Sequence, residues 1–217
     1  MERLIVSTAK VSWFFEYGEL NPQGRDLFGD LIEWLKKQYS FEKSPGSLID
    51  LNPETKALDF KLGRYQVREE VFIAVELSLY SDGIIANSWS STKETEEFLH
   101  NVFTMAAAEF HLNFDPRIIR SKMYLSEVQY YSEHQLESIN PKLKEISETL
   151  ASIGGRDCEF AGIQFWFDPT KLPAKAPFRI ERKQNTDFGD NRYYSIAPLQ
   201  THEHIAALKE IENLLRD

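Results

Sequence analysis

Several kinds of signal are missing from this sequence, and each absence narrows what the protein can be. A single cysteine, Cys158, cannot form an internal disulfide, so a reducing, cytoplasmic setting is expected. No apolar run approaches the ~18 residues of a membrane-spanning helix, so we expect a protein that is soluble and does not enter membranes. Tracts of proline, glycine or serine are also absent, which is typical of a globular rather than a disordered chain.

The short motifs of common catalytic and cofactor sites are missing as well. HExxH, GxSxG, Walker and dinucleotide-binding glycine patterns do not occur. The nearest approach to a metal signature is His202 and His204, but side chains two apart on a helix point about 200° apart and cannot bind one ion. We interpret both histidines as polar residues of an exposed first helical turn. We therefore expect no metal, no cofactor and no catalytic residue, which weighs against an enzyme without excluding one.

Basic residues are in the minority, at 25 against 34 acidic ones, and the net charge is −9. The imbalance lies in the first half, because residues 1–115 carry 11 basic and 19 acidic side chains whereas residues 116–217 carry 14 and 15. Such a field repels phosphate backbones and anionic membranes at long range. General nucleic-acid binding is disfavoured, and a partner of basic character would suit the acidic half.

The clearest structural signal in the sequence runs from Val71 to Leu112. One side of an extended segment carries Val71, Ile73, Val75, Leu77 and Leu79, the alternation of a half-buried strand. Asp82-Gly83 is predicted to form a two-residue turn, after which residues 84–90 return as a second strand. Ser91 and Glu94 are spaced as a capping box for a helix whose apolar stripe comprises Phe98, Leu99, Val102, Phe103, Ala106 and Phe110.

Similar elements are predicted on both sides of this segment. A first strand precedes Asn21-Pro22, which predicts the start of a helix reaching about Gln38, and two short strands joined by a turn at residues 52–55 follow. From Ile118 a strand leads to Asn140-Pro141, which opens a helix. Three further strands and a last helix capped by Thr201 complete the chain. The inward stripe of the helix at 140 is predicted to be Leu143, Ile146, Leu150 and Ile153.

The order strand, helix, strands, helix thus occurs twice, which indicates a degenerate internal duplication unless the recurrence is coincidental. We predict an α+β fold with an antiparallel sheet and helices on one face. Its halves, residues 1–115 and 116–217, would pack as one pseudo-symmetric unit. The order of elements resembles the saddle of TATA-box-binding proteins. That resemblance is one of topology alone: no sequence motif of that family occurs here, so it implies neither a function nor site residues.

The outward face of the predicted hairpin is the first candidate site. With Asp82-Gly83 as the turn, Tyr80 would lie opposite Ile85 and Glu76 opposite a tryptophan. Aromatic residues within a polar surround are what a recognition surface needs, although a loop or the other half could cover this face. The candidate binding residues are Phe72, Glu76, Tyr80, Ile85 and Trp89.

A local excess of basic residues in the last third of the chain is the second candidate. It could dock an acidic partner or a phosphate group, or it could be an ordinary solvated hairpin with charges on both faces of its strand. Its basic residues are Lys171, Lys175, Arg179, Arg182, Lys183 and Arg192.

Two functions remain open on the sequence alone. The first is a cytoplasmic, non-enzymatic protein that binds another protein through an open aromatic sheet face, as an inhibitor, immunity factor or adaptor does. The alternative is a small-molecule sensor or carrier in which the same sheet and the helix at 92–112 enclose an apolar pocket.

Overall fold

A computed structural model of the chain describes residues 1–47, 50, 52, 56–168, 170 and 176–216. The described strands are β1 (Glu2–Phe14), β2 (Leu58–Arg68), β3 (Val71–Tyr80), β4 (Gly83–Ser88), β5 (Ser121–Tyr131), β6 (Gly162–Phe165), β7 (Phe178–Arg182) and β8 (Arg192–Ala197). The described helices are α1 (Tyr17–Leu20), α2 (Phe28–Tyr39), α3 (Thr92–Phe110), α4 (Pro141–Gly154) and α5 (Thr201–Leu214). Every strand pair with a described register is antiparallel, so the predicted α+β class is confirmed.

The chain divides into two compact units. The first unit comprises residues 8–124, and the second comprises residues 125–217 together with residues 1–7. This division differs from the predicted one after residue 115 because Ile118, Ile119 and Tyr124 pack against the core of the first unit. Leu4 and Val6, near the start of β1, pack instead against the core of the second unit.

In the first unit the strand order is β2-β3-β4-β1, and α2 and α3 contribute to one core on one face of these strands. The alternation predicted for β3 is confirmed from Ile73 to Leu79, with Val75 and Leu77 fully buried, but Val71 at its start is 46% exposed. The predicted helical stripe is confirmed too, since every residue from Phe98 to Ala106 in it is buried. Ser91 caps α3 as expected, its hydroxyl oxygen accepting the backbone N–H of Glu94 at 3.2 Å.

The predicted helix start at Asn21-Pro22 is wrong. The short helix α1 has already ended at Leu20, and α2 begins only at Phe28. The side chain of Asn21 closes the intervening turn: its Nδ2 donates to the carbonyl oxygen of Arg25 at 2.7 Å, and its Oδ1 accepts the Arg25 N–H at 3.3 Å. An Asx side chain that bonds its own neighbouring backbone favours a turn as readily as a helix cap.

In the second unit the strand order is β5-β8-β7-β6, and α5 packs on the core formed by β5, β7 and β8. Apart from the four-residue α1, both units therefore run strand, helix, three strands, helix, and in each the strands follow the order 2-3-4-1 of their own succession. Shared order does not establish common descent, so the internal duplication and the TATA-box-binding resemblance stay hypotheses. No described helix is long and apolar enough to cross a membrane.

Helix α4 contradicts its predicted orientation. Ile146, Leu150 and Ile153 are exposed, Ile153 to 79%, whereas Ser147 is buried. Asn140 caps the helix as predicted, its Oδ1 accepting the Lys142 N–H at 3.0 Å. The small residues Ser147 and Ala151 line a depression shared with residues 157–159. The apolar stripe is therefore real, but the described part of the second unit's core contains no α4 side chain.

Candidate functional site

The register of the β3–β4 hairpin differs from the predicted one. Tyr80 pairs with Gly83, and Glu76 pairs with Asn87, so the turn residues are Ser81 and Asp82. Gly83 is required because β1 comes close to it: a Cβ at this position would lie 2.5 Å from the carbonyl oxygen of Trp13. Because the predicted and observed pairings differ by two positions, the same side chains still share one face.

We call the side of β1–β4 opposite the helices of the first unit the outer face. Its middle forms a depression of about 180 Å³ that contains three of the five predicted residues, Glu76, Tyr80 and Ile85. The other outward side chains lining it are Lys10, Asp59, Lys61, Ser78 and Asn87. These residues alternate with the buried row of each strand, so the half-buried strand pattern of the sequence is what places them together.

Neutral donors orient the two carboxylates of the outer face. Ser78 Oγ donates to Asp59 Oδ1 at 2.6 Å, and Asn52 Nδ2 donates to the other Asp59 oxygen at 3.0 Å. Asn87 Nδ2 donates to Glu76 Oε2 at 3.4 Å. Hydrogen bonds to neutral groups leave the negative charges in place while fixing their direction, so both carboxylates are preorganised acceptors.

Tyr80 lies at the turn end of the outer face. Burial raises the pKa of its phenol, and the nearby Asp59 and Asp82 carboxylates raise that pKa further. The hydroxyl therefore stays protonated at neutral pH and remains available as a hydrogen-bond donor or acceptor.

Phe72 and Trp89, the other two predicted residues, lie outside the depression. Phe72 is 50% exposed, with the guanidinium carbon of Arg64 5.0 Å from its ring centroid. Trp89 is 45% exposed and follows the last residue of β4. Extending the hairpin register by one pair puts Trp89 level with Ala74, one side-chain position from Phe72 on the same strand face. The face thus has a polar middle, with a tyrosine near one end and two exposed aromatics toward the other.

A separate apolar pocket lies on the core side of the same unit, where α1, α2 and α3 meet the turn end of β3 and β4. Its volume is about 70 Å³. An apolar cavity of about 150 Å³ can hold benzene, so this one accommodates only a few heavy atoms. Tyr80 borders both this pocket and the outer face. The other lining residues include Phe15, Leu35, Leu79, Val102, Phe103 and Ala106.

Among the described members of the predicted basic cluster, Arg182 lies apart from the other three. Arg182 Nη2 lies 2.5 Å from Glu159 Oε1, both side chains are buried, and the guanidinium lies 5.1 Å from the Phe188 ring centroid and 5.4 Å from that of Tyr193. The other three lie on the opposite face of β7 and β8: Arg179 pairs with Glu181 at 3.4 Å, and Arg192 and Lys183 both donate to Gln129. Lys171 and Lys175 lie outside the described residues.

The prediction that His204 lies in an exposed first helical turn is wrong. Its side chain is fully buried, and Nε2 lies 2.8 Å from Ser195 Oγ. Ser195 Oγ donates a hydrogen bond to the carbonyl oxygen of Arg179 at 2.7 Å, so the serine oxygen accepts a hydrogen bond from the Nε2–H of a neutral imidazole. Burial lowers the pKa of His204 to about 4, against a smaller opposing effect of a backbone hydrogen bond with Ser126. A buried serine whose hydroxyl already donates a hydrogen bond to a backbone carbonyl is a structural partner of the histidine, not a nucleophile.

The spacing of α5 could have revealed this burial. His204 follows buried Thr201 by three positions and precedes buried Leu208 by four, so it occupies the inward stripe, whereas His202 is exposed. The predicted cap is also corrected: Gln200 is the N-cap residue, and its backbone N–H donates to Glu203 Oε2 at 3.0 Å.

No group of three potential metal ligands occurs among the residues that the structure describes. Comparison of the chain with protein-family models and with curated proteins gave no match.

Proposed function

We propose that the protein binds another protein through the outer face of its first unit, as a non-enzymatic inhibitor, immunity factor or adaptor acting in the cytoplasm. The observation that carries this proposal is that α2 and α3 both pack on the opposite side of β1–β4. The outer face keeps Glu76, Tyr80 and Ile85 partly exposed in one depression, with exposed Phe72 and Trp89 beyond it.

The chemistry of this face fits a specific interface rather than a general charged one. Lys10 and Lys61 balance Asp59 and Glu76, so the depression itself carries charges of both signs. Oriented carboxylates supply directional acceptors, and the aromatic side chains supply the area that most often dominates binding energy. The acidic excess of residues 1–115 would act at longer range and favour a partner of basic character.

The decisive experiment is affinity capture with the purified protein, followed by titration calorimetry of the captured partner against variants. Trp89→Ala should weaken the complex by on the order of 2 kcal/mol, about thirtyfold in Kd, without changing thermal unfolding. Met105→Ala, which removes an exposed hydrophobic side chain of α3, is the matched control and should bind normally. Unchanged binding after replacement of Phe72, Tyr80 and Trp89 together would remove the outer face from consideration.

The apolar pocket favours a second candidate, a sensor or carrier of a small apolar molecule. Its volume restricts the ligand to a short alkyl group or a molecule of similar size. Ala106→Leu should fill the pocket and abolish the thermal stabilisation that short alcohols or xenon produce in the unaltered protein. A stoichiometric metabolite recovered with the purified protein, in the absence of a protein partner, would favour this candidate over the first.

A further inference from the structure

Two edge strands of the described fold, β2 and β6, differ in how they are protected against pairing with a strand of another molecule. Strand β2 carries two register shifts along β3 and the charged residues Lys61, Arg64 and Arg68, which discourage pairing with another strand. Strand β6, Gly-Ile-Gln-Phe, has no charge, no proline and no bulge in its register with β7. An edge with none of these devices is open to strand addition.

The hydrogen bonds of β6 identify which of its amides point outward. The N–H of Arg182 donates to the carbonyl oxygen of Ala161 at 2.7 Å, so the alternate residues Ile163 and Phe165 also bond to β7. Gly162 and Gln164 therefore direct their N–H and C=O groups away from β7. The close backbone at Gly162 agrees, since a Cβ there would lie 3.0 Å from the Cα of Glu181, as in a non-hydrogen-bonded pair.

Large aromatic side chains are exposed at the same edge. Phe165 is 56% exposed, and Trp166, the next residue, is 67% exposed. An open depression of about 340 Å³ lies along the same strand, and Gly162 is one of the residues that line it. Its other lining residues include Gln164, Arg179, Glu181 and Gln184.

We propose that β6 pairs antiparallel with β6 of a second copy of the chain, with Gln164 facing Gln164 on the twofold axis. In that register Ile163 faces Phe165 of the second copy, and Gly162 faces Trp166 of the second copy. The indole then covers the glycine and fills the depression beside the Arg179 guanidinium, a contact that an aromatic face favours. Each copy contributes a tryptophan to the other copy's depression, so the site is complete only in the dimer.

The second copy is preferred over an unrelated strand because this short sequence complements itself. Its three pairs are amide with amide, aliphatic with aromatic, and glycine with tryptophan, and none places like charges opposite each other. A two-residue change of register would lose the contact between Gly162 and Trp166, so only a twofold axis at Gln164 keeps this contact.

Sedimentation velocity of the full-length protein over a concentration series tests the pairing. The unaltered protein should dimerise, and Gln164→Lys and Gln164→Glu should each raise the dimer Kd by on the order of tenfold or more, because like charges then meet on the axis. An equimolar mixture of the two variants should recover dimers, since lysine then faces glutamate. Gln66→Lys, at an exposed position of the other edge strand β2, is the matched control and should dimerise normally.

Circular dichroism of each variant establishes that the fold is retained, and the exposed position of Gln164 makes both changes tolerable. A protein that stays monomeric throughout the series would overturn the proposal. Dimers that resist both single substitutions, or single variants that fail to recover on mixing, would place the interface elsewhere and overturn it equally. Trp166→Ala should weaken the dimer as well, and an unaffected dimer would exclude the contact with Gly162.

Discussion

His204 shows how one buried histidine makes stability depend on pH. In the folded chain its imidazole is neutral and its pKa is lowered to about 4, whereas an unfolded chain has the ordinary value of 6.5. Because the unfolded state takes up this proton first, the contribution of His204 to stability is fully present above the ordinary value. It is lost as the pH falls from 6.5 towards 4.

We expect His204→Gln to flatten the acid side of the stability profile. A glutamine can donate from Nε2 to Ser195 Oγ but cannot be protonated, so it should remove a slope of up to about 1.4 kcal/mol per pH unit in this window. Urea unfolding at a series of pH values measures it. His202→Gln, the exposed neighbour, should leave the slope unchanged. Equal slopes in the unaltered protein and the His204 variant would contradict the buried, neutral state.

At the scale of single elements, α4 shows that hydrophobic periodicity and burial are determined separately. Its apolar stripe was predicted correctly as a stripe, and its cap at Asn140 is confirmed, yet Ile146, Leu150 and Ile153 are exposed. Periodicity identifies which side chains share a flank of a helix. Whether that flank meets a core depends on residues distant in sequence, which a local pattern does not contain.

Replacing an exposed residue of the α4 stripe should therefore cost little stability. Ile153→Gln should change the free energy of unfolding by less than about 0.5 kcal/mol, because its side chain leaves water only slightly on folding. Leu208→Ala, in the buried stripe of α5, should cost about 2–5 kcal/mol. Chemical denaturation of both variants supplies the comparison, and a large loss for Ile153→Gln would mean that α4 is packed in solution.

The same distinction between local pattern and tertiary packing explains which of the other predictions from sequence are correct and which are wrong. Strand β3 and helix α3 were predicted correctly because long, regular alternation and a matched cap agree along each element. The hairpin register was missed by two positions because β1 approaches Gly83 closely, a constraint that no local pattern shows. Three of the five candidate residues still share one depression, since that shift preserves strand parity. The sequence did not predict the depression at Gly162. The uncharged strand that ends at Phe165 and is followed by Trp166 could have indicated a binding edge there.

On the scale of the whole molecule, β1 contributes to two cores. Its later residues Val11 and Trp13 are buried in the first unit, whereas Leu4 and Val6 pack in the second. The second unit therefore includes a segment separated from the rest of it by more than a hundred residues of sequence. Such a connection adds long-range contacts that the chain must form to complete that unit.

A pair of adjacent substitutions tests this assignment. Leu4→Ala should lower the free energy of unfolding by about 1–3 kcal/mol, because a partly buried leucine loses contact with the second core. Ile5→Ala, at the exposed neighbouring position, should change it by less than about 0.5 kcal/mol. Thermal unfolding of both variants measures the difference. Equal effects would indicate that residues 1–7 do not pack as described.

The divided membership of β1 also fixes an order of events during synthesis. Residues 8–124 are all made before most of the second unit exists, so the first unit can fold while the ribosome is still extending the chain. Leu4 and Val6, although translated before the first unit, must wait for residues 125–217 before they are covered. At typical elongation rates that delay is on the order of ten seconds, during which Leu4 and Val6 stay accessible to chaperones and to neighbouring nascent chains.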